Sequence, residues 1–245
     1  MTAFSYTADT PPAGEAQMGL IVLKADETIE AEFRRIFRGR PARLFVTRIP
    51  SAPEVTPETL AEMTASLPAA ASLLPDPVDF DVVGYACTSA SSVIGADRVG
   101  ELVQSGCRTR AVTNPLSAVI AQCKSRGISR LALLSPYVES VSDTLRTALA
   151  AAGIETPVFG SFNEAEEARV ARISAASVAE AATQLGRDSA AQAVFLSCTN
   201  LRTLAPAPLI EAALGKPVLS SNLALAWHMA ALSGMADRTA PAASR

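Results

Sequence analysis

The sequence predicts an α/β protein of two similar Rossmann-like (flavodoxin-like) lobes, each built on a parallel sheet. Short apolar segments alternate with amphipathic segments along the chain, as in parallel sheets that helices cover on both faces. Segments of similar sequence also recur at a nearly constant offset. Such a repeat predicts two lobes related by a pseudo-two-fold axis.

Eight short apolar runs are the predicted strands. They are rich in aliphatic and β-branched residues, which is typical of strands buried in a parallel sheet. The runs occupy residues 18–23, 43–49, 81–86, 110–113, 130–135, 156–162, 193–198 and 217–221.

Amphipathic segments between these runs are the predicted helices. Residues 28–37 place their apolar side chains on one stripe, and residues 115–127 end in a basic turn followed by glycine, a common helix end. Residues 141–153 begin with a Ser or Asp cap and also end in glycine. Residues 49–60, which contain several prolines, are interpreted as a long connection between a strand and a helix.

Composition and charge argue against several classes of protein. Of 245 residues, 49% are hydrophobic and 18% are charged, and the formal net charge is -3. This is typical of a globular chain without a basic surface for nucleic acid or anionic membranes. No apolar run reaches the roughly 18 residues that a membrane helix needs. The first residues lack the basic start and apolar stretch of a signal peptide, so we expect a cytoplasmic protein with no nucleic-acid and no membrane partner.

Common metal, nucleotide and hydrolase motifs are missing from the sequence. The cysteines stand at positions 87, 107, 123 and 198 without a Cys-x-x-Cys pair, and His228 is the single histidine, so a structural zinc site lacks ligands. No glycine-rich phosphate loop and no Gly-x-Ser-x-Gly motif occurs. We therefore expect no metal and no cofactor, and chemistry that comes from thiols, hydroxyls, carboxylates and backbone amides.

The internal repeat is clearest in two Cys-Thr segments. VVGYACTSAS and AVFLSCTNLR match with Cys87 and Cys198 lying 111 positions apart. The same shift sets Asp26 opposite Tyr137, each three residues after an apolar run. Because these matches occur in one order and at one offset, they indicate a duplicated unit.

The repeat predicts where the lobes begin and end. We expect a first α/β lobe at residues 18–114 and a second at residues 115–214. Residues 215–235 are expected to pack back on the first lobe, and residues 1–17 and 236–245 to be flexible tails.

The two repeated cysteines are the candidate reactive groups. Ligands of such sheets bind beyond the carboxyl ends of the strands, where both cysteines are expected, so facing lobes would bring the thiols together across one cleft. The chain is expected to turn into a helix after each cysteine, and free N–H groups there bind anions and lower the pKa of a thiol. This setting suits a small substrate that carries a carboxylate. Further donors at these positions are Thr88, Ser89, Thr199 and Asn200.

Two facing thiols permit two kinds of reaction. In the first, one thiol removes a proton from a carbon and the other returns a proton from the opposite side, which inverts the centre. In the second, one thiolate adds to a double bond as a nucleophile and leaves later. Neither route requires a metal or a cofactor.

Several other residues have a structural interpretation beside a functional one. Asp26 can face the substrate or cap the next helix, and one side chain can do both. Tyr137 can contact the substrate or pack in the core. Cys107 and Cys123 are interpreted as small apolar residues, and His228 as a structural residue of an apolar helix.

The sequence resembles the Asp/Glu racemase superfamily over residues 18–235. The resemblance is to the branch that holds maleate cis–trans isomerase, arylmalonate decarboxylase and the racemase-like proteins of ectoine utilisation. The segments that carry it are GYACTSASSVIG (84–95), LLSPYVESVSDTL (133–145), FNEAEEARVARI (162–173), FLSCTNLRTL (195–204) and GKPVLSSNLALAWHMAALSG (215–234).

The resemblance implies an active site at the interface of two Rossmann-like lobes. It assigns Cys87 and Cys198 as the catalytic pair, and it places Tyr137 and Asn163 on the substrate. Arylmalonate decarboxylases have glycine at the first cysteine position, so the presence of Cys87 disfavours decarboxylation. Relatives with this fold often form dimers or tetramers, so a homo-oligomer is expected.

One position departs from the maleate isomerase pattern. Those enzymes carry Pro-x-x-Asn after the first strand, whereas residues 23–26 here are Leu-Lys-Ala-Asp. A carboxylate at Asp26 opposes a dicarboxylate substrate and suits an amine or amide N–H, and the ectoine-utilisation proteins resemble the chain more closely at this point. The sequence thus predicts a cofactor-independent racemase or isomerase of a small amino- or amido-carboxylic acid. The alternatives are a maleate cis–trans isomerase and, less favoured, an arylmalonate-type decarboxylase or a non-catalytic binding protein.

Overall fold

The computed structural model describes residues 1–8 and 14–235. The first half of the chain forms a parallel sheet in the order β2-β1-β3-β4. Helices flank this sheet. Its elements are β1 (Ala16–Leu23), α1 (Ile29–Ile36), β2 (Ala42–Ile49), α2 (Pro57–Ala71), β3 (Val82–Ala86), α3 (Thr88–Ile94), α4 (Ala96–Gly106) and β4 (Val112–Thr113).

The second half repeats this arrangement with the sheet order β6-β5-β7-β8, again all parallel. The strands therefore follow the same order in both halves, which confirms the predicted α/β fold of two similar lobes. The elements are α5 (Pro115–Arg126), β5 (Arg130–Tyr137), α6 (Glu139–Ala151), β6 (Glu155–Glu164), α7 (Glu167–Val170), α8 (Ala175–Gly186), β7 (Ala193–Leu196), α9 (Pro206–Leu214), β8 (Val218–Ser220) and α10 (Ser221–Leu232).

Each predicted apolar run overlaps one of these strands, and β1, β2, β5 and β6 extend beyond the predicted bounds. The central strands β1, β3, β5 and β7 are almost entirely buried, because helices cover both faces of a parallel sheet. β7 ends at Leu196, two residues before Cys198, whereas Cys87 directly follows β3. The predicted connection at residues 49–60 is shorter than expected, since α2 begins at Pro57.

The last part of the chain is divided between the lobes. Within the segment 215–235, β8 pairs with β7 in the second sheet, so only α10 returns to the first lobe. There Met229 packs with Met18 and Leu20. Gly84 permits this contact, because a Cβ at that position would lie 2.7 Å from the Met229 sulfur. Residues 16–17 of the predicted tail 1–17 belong instead to β1. The predicted tail 236–245 lies outside the described residues.

A buried carboxylate joins the two lobes. Glu32 of α1 accepts hydrogen bonds from the backbone N–H groups of Thr203 (2.9 Å) and Leu204 (2.8 Å), which follow β7. Its second oxygen accepts from Asn222 Nδ2 of α10 at 2.8 Å. Burial raises the pKa of Glu32. The side chain therefore satisfies donors that would otherwise be buried without partners.

Among the described residues, none of the helices combines the length and the apolar character that crossing a bilayer would require.

Replacing Glu32 by alanine should destabilise the protein. The substitution leaves the buried N–H groups of Thr203 and Leu204 unpaired, so we expect the free energy of unfolding to fall by about 3 kcal/mol. Urea denaturation followed by circular dichroism measures the change. The matched control is Glu62→Ala at an exposed position of α2, for which a change within about 0.5 kcal/mol is expected. Equal effects of the two substitutions would contradict this account of Glu32.

Candidate active site

Cys87 stands where β3 passes into α3. Its side chain caps the helix, because Sγ accepts a hydrogen bond from the backbone N–H of Ala90 at 3.3 Å. The next side chain, Thr88, lies 2.8 Å from the Ser221 hydroxyl at the start of α10. The thiol is thus placed by the strand end and by a helix that returns from the far end of the chain.

Cys198 lies in the corresponding place after β7, but its backbone differs. Its φ angle of 129° is in a region that costs a residue with a side chain about 1–3 kcal/mol. The Cys198 N–H donates to Ser221 Oγ at 2.9 Å, and Sγ accepts from the Asn200 N–H at 3.3 Å. No helix follows directly, contrary to the expectation from sequence, since α9 begins only at Pro206.

Both thiols line one cavity between the lobes. Its free volume is about 10 Å³, room for about one water molecule, so a substrate enters only when the lobes or their loops move apart. Among the described residues, no Lys, Arg or His side chain is part of this lining. The lining residues are Leu23, Asp26, Cys87, Thr88, Ser89, Tyr137, Glu167, Cys198, Thr199 and Asn200.

Asp26 both caps the next helix and lines the cavity, the two positions that the sequence allowed. Its Oδ1 accepts hydrogen bonds from the N–H groups of Thr28 (2.8 Å) and Ile29 (2.9 Å), which caps α1. Its Oδ2 is buried and has no hydrogen-bond partner among the described residues. Burial raises the pKa of this carboxyl. One oxygen therefore holds the helix while the other remains available to a ligand in the cavity.

Tyr137 is buried at the end of β5 and makes two polar contacts. Its hydroxyl donates to Glu167 Oε1 at 2.6 Å and lies 3.0 Å from Cys198 Sγ. Asn200 donates from Nδ2 to Glu167 Oε2 at 2.9 Å. The carboxylate of Glu167, 4% exposed, thus connects two of the predicted site residues.

Asn163 is the one predicted site residue that does not line the cavity. It is exposed near the end of β6, with a φ angle of 54°. The pairing of β5 with β6 shifts by one residue between Ser135 and Tyr137, and such an irregularity changes which face of a strand a side chain occupies. Its contact with a substrate stays a prediction.

The comparisons with known proteins agree with this architecture. A sequence model of the arylmalonate decarboxylase family matches residues 18–245. The chain belongs to this family. The coarser resemblance to the Asp/Glu racemase superfamily is consistent with that result, and closeness to the ectoine-utilisation proteins stays a prediction.

Similar members of the family include enzymes of two kinds. The maleate isomerase of Nocardia farcinica is 26% identical over 229 residues, covering 88% of this chain and 89% of that protein. The arylmalonate decarboxylase of Bordetella bronchiseptica is 29% identical over 136 residues, 54% of this chain and 56% of that protein. A solved structure of a mutant of the Nocardia farcinica maleate cis–trans isomerase has the same fold, with a TM-score of 0.82, 24% identity, and coverage of 91% of this chain and 94% of that chain.

Sequence reasoning missed two residues of this family member's site. Glu167 occurs in the run FNEAEEARV beside Glu164 and Glu166, and nothing local distinguishes it from those less buried neighbours. Ser221 lies in the segment VLSSN, whose local sequence does not indicate a position beside the thiols. Contacts with residues distant in the chain, such as that of Glu167 with Tyr137 and that of Ser221 with Cys198, select both residues.

The thiol pKa values differ from the expectation of a lowered value. Burial raises the pKa of Cys87 to about 12, and the N–H groups at the start of α3 offset only part of that increase. Burial likewise raises the pKa of Cys198 well above its ordinary value, and the nearby Glu167 carboxylate adds to the effect. With the cavity closed, both thiols of this family member are therefore protonated at neutral pH.

The remaining candidates lie away from the cavity. Cys123 packs in an apolar cluster with Val119 and Leu131, and Cys107 is half-buried at the end of α4. His228 lies 2.8 Å from the Thr113 hydroxyl through Nδ1. In the part of the chain that is described, no group of three or more His, Cys, Asp or Glu side chains is arranged to hold a metal ion.

Asp26→Asn should gain stability relative to the wild type as the pH rises. The folded protein holds the Asp26 proton more tightly than the unfolded chain, whose pKa is near 3.8. The stability from that proton is present at low pH and is lost as the pH rises through the folded-state pKa. Asparagine at position 26 keeps a side-chain oxygen that can cap α1. Because it does not titrate, it loses no stability as the pH rises.

Urea denaturation at about pH 5 and about pH 8 tests this sign. The difference in unfolding free energy between Asp26→Asn and wild type should be larger at the higher pH. Asp97→Asn, at an exposed position in α4, is the control and should show no such trend. A difference for Asp26→Asn that shrinks with pH would contradict the sign of the shift.

Proposed function

We propose that this protein is a cofactor-independent isomerase of a small carboxylic acid, with Cys87 and Cys198 as its catalytic pair. The observation that carries the proposal is that the two thiols follow corresponding strands of the two lobes and line one cavity. The similar family members are enzymes, and both thiols are buried, as proton transfer without competition from water requires.

The comparisons favour cis–trans isomerisation of maleate. One structurally similar protein is a Nocardia maleate cis–trans isomerase mutant with a covalently bound succinylcysteine intermediate. By analogy, one thiolate adds to a carbon of the double bond while the other thiol gives a proton to the adjoining carbon. Rotation about the resulting single bond and reversal of both steps release the trans isomer.

Racemisation of an amino- or amido-carboxylic acid is the second candidate. Asp26 and Glu167 both line the cavity, and no cationic side chain does. A substrate with two carboxylates would be repelled by these groups, whereas an ammonium or amide N–H would bind them. In this reaction one cysteine, as the thiolate, takes the Cα proton, and the other, as the thiol, gives a proton to the opposite face.

The comparisons leave several narrower predictions open. The homo-oligomer, the cytoplasmic location and the absence of a cofactor stay predictions. Decarboxylation is not proposed, because Cys87 occupies the position at which arylmalonate decarboxylases have glycine.

Mutation should distinguish the two cavity cysteines, which we expect to be needed for turnover, from Cys107 and Cys123, which we expect not to be. Cys87→Ser and Cys198→Ser should each lower turnover at least ~10²-fold while the fold survives, because a hydroxyl is a far poorer base and nucleophile near neutral pH. The assay is solvent deuterium incorporation at Cα or vinylic positions, screened over maleate and small amino acids. Cys107→Ser and Cys123→Ser are the controls and should stay within a few-fold of wild type. Full activity of either Cys87→Ser or Cys198→Ser would remove the two-thiol mechanism.

Asp26→Asn should raise the turnover of maleate about tenfold or more, because it removes a negative charge that faces the dianion. Fumarate formation from maleate by the wild type, Asp26→Asn and the surface control Asp97→Asn is the measurement. Little maleate activity in the wild type supports racemisation of an amino- or amido-carboxylic acid. Efficient maleate turnover by the wild type supports cis–trans isomerisation of maleate. Efficient wild-type turnover that Asp26→Asn abolishes would show that the charge argument at Asp26 is wrong.

A further inference from the structure

Glu167 is a buried carboxylate to which the proposed reactions give no part in proton transfer. It begins α7, and its N–H donates to the Pro53 carbonyl of the other lobe at 3.1 Å. Its two oxygens accept from the Tyr137 hydroxyl (2.6 Å) and from Asn200 Nδ2 (2.9 Å). Both donors are therefore fixed, and the carboxylate is held beside the cavity in one orientation.

Tyr137 joins this carboxylate to a thiol. A phenol has one proton to donate, and the Tyr137 proton goes to Glu167. The contact of 3.0 Å between Tyr137 Oη and Cys198 Sγ is then a hydrogen bond in which the thiol donates. The three groups form an unbranched chain from thiol through phenol to carboxylate.

We propose that Glu167 accepts the proton of Cys198 through the Tyr137 hydroxyl, so that the Cys198 thiolate forms by proton transfer within the cavity. The inference rests on the proposed role of Cys198 as one of the two catalytic thiols. The S–H bond of Cys198 breaks and its proton binds Tyr137 Oη. The former hydroxyl proton of Tyr137 moves to Glu167 Oε1, leaving one thiolate and one neutral carboxylic acid.

The charges around the cavity favour this route over loss of the proton to solvent. The titratable groups that face Cys198 are Asp26, Cys87, Tyr137 and Glu167. Arg48 is not among the lining residues, and its guanidinium donates to the carbonyls of Leu23, Lys24 and Asp26. Loss of the proton to solvent would add a negative charge to a buried anionic site, whereas internal transfer leaves the net charge unchanged.

Burial raises the pKa values of both the carboxyl and the phenol in this series of hydrogen bonds. It raises the pKa of Glu167 above its ordinary value, which makes the carboxylate a stronger base. It raises the pKa of Tyr137 well above 10, so the phenol remains protonated and passes protons without becoming an anion. Cys87 differs in that its Sγ accepts from backbone N–H groups at the start of α3, which cannot take up its proton.

The pH dependence of thiol alkylation tests this inference without a substrate. Iodoacetamide reacts with thiolates, and peptide mass spectrometry reports the rates at Cys198 and Cys87 separately. Because both thiols share one cavity, Cys87 serves as the internal standard for access. In the wild type the Cys198 rate should rise less than about threefold from about pH 6 to about pH 8, because the shared proton fixes the thiolate fraction.

Glu167→Gln removes the proton acceptor and keeps the size of the side chain. The Cys198 rate should then rise about tenfold per pH unit, as for an isolated thiol. Glu166→Gln, at an exposed neighbouring position, is the matched control and should keep the wild-type profile. Identical Cys198 profiles in wild type and Glu167→Gln would overturn the proposal.

Tyr137→Phe provides a second test if Glu167→Gln does not fold. It retains the carboxylate and removes only the bridging hydroxyl, so the steep pH dependence should appear here too. A wild-type profile in Tyr137→Phe would overturn the proposal. Loss of turnover in the cysteine variants tests the proposed function separately, because alkylation requires no catalysis.

Discussion

Asn200 binds both lobes at once, and the geometry of the cavity depends on it. Its Oδ1 accepts from the Glu27 N–H at 2.8 Å, and its carbonyl accepts from the Thr28 hydroxyl at 2.8 Å, both in the first lobe. Its Nδ2 holds Glu167, and its N–H contacts Cys198 Sγ. Asn200 therefore fixes the thiol and the carboxylate of the second lobe relative to the first lobe, and separating the lobes would break its hydrogen bonds to Glu27 and Thr28.

The site concentrates acidic groups in a small, closed cavity, which determines how charge can move in it. Asp26 and Glu167 are both buried, and each lies close enough to raise the pKa of Cys198. In so small a cavity a new charge is costly, whereas a proton that moves between neighbours leaves the total charge unchanged. A ligand with a positive group would neutralise these acids, and a second anion would add to their repulsion.

The sequence predicted the strands and the paired thiols because both depend on local signals. Buried parallel strands are continuous apolar runs, and duplication preserved the Cys-Thr pattern at one offset. Glu32 and Glu167 were not predictable, because each resembles the less buried acids beside it and becomes a buried partner only through contacts with residues distant in the chain, Thr203 for Glu32 and Asn200 for Glu167. Asn163 was placed on the substrate by resemblance, and the shifted pairing of β6 turns that part of the strand outward.

The duplication makes the fold symmetric, but the surroundings of the two thiols are not. Cys87 caps a helix, whereas Cys198 has a strained backbone and contacts Tyr137. A racemase exchanges the roles of its two thiols between the forward and reverse reactions, because each enantiomer presents its proton to a different face. A cis–trans isomerase keeps one thiol as the nucleophile and the other as the proton carrier. The unequal surroundings favour such fixed roles, while the acidic lining favours a substrate with a positive group, so the charge of the substrate and the type of reaction are separate questions at this site.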